Sequence, residues 1–136
     1  MSFQASLNAG ATRMPDSTVW GVYCGECVGI CSTMRKIDSS SLRIDKSNKF
    51  FKSEPFNYEF KGTDQTNSEY GKYKWILEEP VPTIIDKNLT IFGQPDAYDQ
   101  CGYYISYNVD GNNYRVLIDP DKVPKEMDST INRLFK

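Results

Sequence analysis

Tyr103 to Val109 and Tyr114 to Ile118 are two runs rich in aromatic and β-branched residues, and Asp110-Gly111 lies in the short stretch that joins them. Asp-Gly is a favoured two-residue hairpin turn, because glycine takes positive φ at no steric cost and the turn's twist matches that of its strands. The segment therefore predicts an antiparallel hairpin. A chain that contains one must cover at least one face of it, so the rest of the sequence is read for partners to these two strands.

Several segments qualify as partners. Val19 to Tyr23 is a short apolar and aromatic strand candidate. Ile30 to Ile37 is another, with imperfect alternation that leaves room for a bulge. Leu42 and Ile44 alternate with Arg43 and Asp45, and Phe56, Tyr58 and Phe60 alternate with Asn57 and Glu59, each a pattern for a half-buried strand. Leu89 to Phe92 has strand composition. Tyr73, Ile76 and Leu77 stand at helical spacing within Ser68 to Glu79, so a short helix is expected there, ended by Pro80 and Pro82. Pro124 to Phe135 reads as an amphipathic helix with an apolar stripe of Val123, Met127, Ile131, Leu134 and Phe135. The expected fold class is α+β: a single antiparallel sheet of about five or six strands, with one or two helices packed on one face. Residues 1–17 are small and polar and read as a flexible N-terminal arm, leaving 18–136 as one domain, as a length of 136 residues also implies.

Composition narrows the chemistry. There is no histidine, which removes histidine triads, histidine metal ligands and imidazole acid–base catalysis. The net charge of −2 argues against nucleic acid as a partner. Neither a P-loop, a dinucleotide fingerprint nor a nucleophile elbow occurs. No apolar run reaches the ~20 residues of a transmembrane helix, and no secretory leader is visible. That pattern favours a cytoplasmic chain, or an exported one if a leader has been removed. Charge is uneven, with seven basic and four acidic residues from Met34 to Lys61 and four basic and ten acidic from Gly62 to Asp121. A surface polarised in this way can steer a charged partner.

Two constellations could carry a site. Cys24, Cys27 and Cys31 cluster near the N-terminus and Cys101 stands alone. Together they could ligate a metal, zinc first, or with three of them an iron–sulfur cluster. The plainer alternative is thiols in a tight turn, with one pair oxidised if the chain is exported. Four cysteines permit three disulfide pairings, and the sequence does not choose among them. The second constellation is Asp96, Asp99 and Gln100 in a turn-rich loop. These residues could bind a small ligand or a hard cation, or the two aspartates could serve a hydrolase as acid and base; otherwise they are turn residues bonding their own backbone.

Cys27-Val28-Gly29-Ile30-Cys31, with the strand after it, resembles the opening of a family of small uncharacterised bacterial domains, many of them envelope lipoproteins. Ile91 to Phe135 is similar to the same family: a Gly- and Pro-Asp-containing loop (Gly93, Pro95, Asp96), an aromatic strand, a hairpin ending in Ile118-Asp119, and a Pro-led helix. The resemblance implies the α+β fold and brings no activity with it. The functional expectation is a non-enzymatic interaction or ligand-binding module, its partner a protein or a small molecule. A cysteine-ligated zinc protein is the first alternative and an aspartate-pair hydrolase the second.

Overall fold

The computed structural model describes residues 15–24, 32–46, 58–62, 64–78, 90–93 and 101–136. Its strands are β1 (Ser17–Cys24), β2 (Ser32–Asp38), β3 (Leu42–Asp45), β4 (Asp64–Gln65), β5 (Thr90–Phe92), β6 (Cys101–Val109) and β7 (Asn112–Ile118). They form one sheet in the order β4-β3-β2-β1-β6-β7-β5. Without the two-residue β4 the count is six. Helix α1 (Asn67–Tyr73) runs on into a 3-10 turn at Lys74–Leu77, and helix α2 (Asp128–Phe135) follows a 3-10 turn at Lys125–Met127. The class is α+β with a single sheet, as the sequence led one to expect.

The hairpin forms as its turn chemistry dictates. Asp110 and Gly111 both have positive φ, 53° and 84°, the signature of a turn that keeps the strand twist. Its first arm, β6, then pairs with β1 over the whole length of β1, from Ser17↔Asn108 to Cys24↔Cys101. Strand β1 starts at Ser17, inside the stretch read as an arm, and the Asp16 amide already bonds the Asn108 carbonyl at 2.7 Å.

Two expectations are corrected. The sheet is mixed, because β5 runs parallel to β7. The chain reverses between β5 and β6 and again in the β6–β7 hairpin, so a strand placed beside the second arm must run parallel to it. The Phe56–Phe60 strand does not form in its described part either. Tyr58 to Gly62 lies outside every ladder, and its aromatic residues pack on the sheet surface.

Strand alternation divides the sheet into two unlike faces. One carries Trp20, Ile37, Leu42, Ile105, Tyr107, Val109, Val116 and Ile118, and it packs on Tyr73 and Ile76 beside α1 and on Met127, Ile131 and Leu134 of the terminal segment. The helices therefore seal this face. The other carries a smaller apolar cluster of Tyr23, Met34, Tyr104 and Leu117, covered by Tyr58 and Phe60. Gly21 belongs to this second face, where a Cβ would collide with the Thr33 carbonyl oxygen and come within 2.6 Å of the Met34 sulfur. Close approach of Met34 to the sheet thus depends on a bare backbone at position 21.

Candidate functional site

The second face is polar away from Tyr58 and Phe60, and the register shows why. Arg43, Lys36, Val19, Ser106 and Arg115 are successive cross-strand partners on β3, β2, β1, β6 and β7. The next row toward the hairpin turn holds Asp38, Ser17, Asn108 and Asn113, with Asp38 paired to Arg43. Val19 and Ser106 are short, and they form a low floor between Lys36 and Arg115. Tyr58, Glu59 and Phe60 stand over one side as a wall. The result is a cavity of about 270 Å³. That is close to the lower end of the ~300–1,000 Å³ usual for small-molecule sites.

The wall is fixed by a buried polar contact. The Tyr58 hydroxyl donates to the Asp45 carboxylate at 2.6 Å, and the Lys61 amide donates to the same oxygen at 3.1 Å. Tyr58 meets Tyr104 edge-on, with ring centroids 6.0 Å apart. On the floor, Ser106 and Arg115 both hydrogen-bond the Tyr104 phenol. Asn108 donates from its side-chain nitrogen to the Asn113 side-chain oxygen at 3.2 Å.

The cations of the row are not equivalent. Arg43 is engaged, 3.7 Å from Asp38 and stacked at 5.9 Å on the Phe60 ring. Asp38 is itself held below the usual carboxylate range: burial opposes this, but the Ser40 and Ser41 amides, the Ser40 hydroxyl and Arg43 outweigh it. Lys36 and Arg115 take part in none of the ion pairs among the described residues. The Arg115 Nε, like those of Arg43 and Arg35, is buried and has no hydrogen-bond partner among the described residues. A buried donor that the protein does not satisfy costs about 1–3 kcal/mol, so a ligand oxygen there would be favoured.

Phenol ionisation is strongly opposed in this sheet. Burial pushes Tyr58 far above the ordinary phenol range, with the Asp45 hydrogen bond and charge adding to it. Burial does the same to Tyr107 and raises Tyr104, which Ser106 and Arg115 partly offset. These groups keep their protons in the folded state at pH values where the unfolded chain loses them. The stabilisation is thus complete below about pH 10 and lost above it, by about 1.4 kcal/mol per pH unit for each phenol that stays protonated. Unfolding in urea between pH 8 and 11.5, followed by tyrosinate absorbance, checks this: ionisation should coincide with unfolding. Smooth titration of these phenols near pH 10 in the folded protein would contradict the burial.

A second cleft, of about 310 Å³, lies on the helix side between β1, β2 and the ends of both helices. Its cations are engaged by charge or by an aromatic ring, although the Arg35 Nε too is buried without a hydrogen-bond partner among the described residues. Arg35 is 3.6 Å from Glu69, the Arg133 guanidinium stacks 3.7 Å over Trp75, and the Lys72 ammonium lies 5.2 Å from the Tyr73 ring. Lys72 and Arg133 also sit in last helical turns, where they offset the negative end of the helix dipole. The cavity on the second face is preferred because Lys36 and Arg115 take part in no ion pair among the described residues.

Of the residues singled out from sequence, Cys24 and Cys101 are among those described. Cys24 and Cys101 are joined in a disulfide across 77 residues, at the end of the β1–β6 ladder. In this state neither offers a thiolate, so the set of four cysteine ligands is not assembled: a sulfur bonded to sulfur has no charge to give a metal. Cys27, Cys31, Asp96, Asp99 and Gln100 lie outside the described residues. Among the described residues no three Cys, Asp or Glu side chains gather in a metal-binding geometry, and no helix is long and apolar enough to cross a membrane.

Sequence reasoning missed Lys36, Ser106, Asn108, Asn113 and Arg115. One signal was available. Along β6 one phase reads Ile105, Tyr107, Val109 and the other Tyr104, Ser106, Asn108, which marks a strand with one wet face. Comparison with family models, curated proteins and solved structures gave no match, so the resemblance read from the sequence stands as an expectation.

Proposed function

We propose that this chain is a non-enzymatic module that binds a small polar ligand in the open-face cavity. One observation carries the reading: Lys36 and Arg115 converge on a concave, tyrosine-walled floor without carboxylate partners among the described residues, and Arg115 keeps a buried donor unsatisfied. Hydrogen-bonding groups surround this floor, and no activated nucleophile is among them, which favours binding over catalysis. The disulfide supports a further part of the proposal, an oxidising compartment. A bond with one exposed cysteine persists where reductants are scarce, so we place the protein in an oxidising compartment.

The test is a thermal-shift screen of small polar compounds against the wild type and a Lys36→Ala/Arg115→Ala variant. A true ligand at a hundredfold excess over Kd should raise the wild-type Tm by roughly 5–10 °C. The double variant should respond little. Equal stabilisation of both proteins would place the ligand elsewhere and overturn the reading.

A further inference from the structure

The geometry points to a ligand class: a single sugar-sized polyol that carries a carboxylate, chemically a uronic acid. This rests on the open-face cavity being the binding site.

Size comes first. A volume of about 270 Å³ is enough for one hexose-sized ring. The donors and acceptors come next. The Asn108–Asn113 bond uses one N–H and one carbonyl oxygen, leaving the Asn108 carbonyl and the Asn113 amide group for a ligand. An acceptor beside donors is the arrangement that reads neighbouring hydroxyls.

Charge sets the last element. Lys36 and Arg115 are separated by three inter-strand gaps, roughly 14 Å between backbones, and both side chains are long enough to reach the middle. Glu59 on the rim lies 3.8 Å from Lys61, so those two charges offset each other. Arg115 shares its guanidinium with the Tyr104 phenol and keeps Nε free. One whole cation and one partly used fork suit a singly charged carboxylate better than a doubly charged phosphate.

The experiment uses the full chain and four probes: sodium glucuronate, glucose, glucose 6-phosphate and inorganic phosphate. Titration calorimetry gives affinity, and the Arg115 Nε–H and the asparagine side-chain amide signals report location. Glucuronate should bind one to one, at least about tenfold more tightly than glucose, and should move those signals. Lys36→Gln and Arg115→Gln should each weaken it about tenfold or more, with Tm confirming that both variants fold. Glucose binding as tightly as glucuronate, or either phosphate binding more tightly, overturns the uronic acid class. So does movement of these signals by another compound of the screen and by none of the four probes. If no compound in the screen moves them, the cavity itself fails as the site.

Discussion

Replacing Ile131 by aspartate is expected to unfold the domain. Ile131 is 1% exposed at the centre of the helix-side core, in contact with the cluster that includes Trp20, Ile105 and Val116. Truncating such a side chain costs about 2–5 kcal/mol. A carboxylate left there without a partner adds a penalty of similar size, unless it takes a proton and forfeits its charge. The sum is comparable with the whole stability of a domain, about 5–15 kcal/mol. Asn132→Asp is the control, since Asn132 is exposed on the same helix and receives the same charge. Far-ultraviolet circular dichroism during heating should show no cooperative transition for Ile131→Asp and a near wild-type Tm for Asn132→Asp. An unchanged Tm for Ile131→Asp would mean that α2 does not seal the sheet.

Loss of the Cys24–Cys101 bond is expected to have the second largest effect. The bond closes a loop with a sequence separation of 77. A loop of that length corresponds to about 4.5 kcal/mol in the chain-entropy treatment, and measured values are commonly 2–4 kcal/mol. The closure is well placed, since β1–β6 is the long-range pairing on which the centre of the sheet depends. Cys24→Ser/Cys101→Ser should therefore lower the unfolding free energy by about 2–4 kcal/mol, with a steeper urea slope because the unfolded chain expands without its crosslink, and reduction of the wild type should match it. Metal analysis belongs beside this measurement. If the reduced protein takes up zinc one to one and becomes more stable than the oxidised form, the cysteine-ligand alternative returns and the structural role of the disulfide falls.

What was legible in the sequence was local. The Asp110-Gly111 turn fixes its hairpin through two positive φ values, and the Met127, Ile131, Leu134 stripe follows from helical spacing alone. A helix near Tyr73 was readable too, although Ile76 and Leu77 fall in the 3-10 turn after α1 and Pro80 and Pro82 lie outside the described residues. The non-local pairings were not. Cys24 and Cys101 become neighbours only because β6 docks on β1 in one register, and three pairings were open before that. Lys36 and Arg115 lie far apart in the chain and share a face through four strands in register. Tyr58 and Phe60 alternate as a strand would, yet they bury against Tyr104 and beneath Arg43 instead of joining a ladder. Alternation records that one side of a segment is apolar; it does not say whether the segment lies within a sheet or on top of one.

The central claim is that helices seal one face of this sheet and that the cavity on the other face holds a ligand. Its most direct test is side-chain NMR of the protein with the strongest stabilising compound from the screen, using the Arg115 Nε–H, the Asn108 and Asn113 amide groups and the Lys36 ammonium as reporters. Those signals should shift together and saturate at one equivalent, while the Arg35, Lys72 and Arg133 signals of the helix-side cleft stay in place. Saturable shifts confined to Arg35, Lys72 and Arg133 would contradict it.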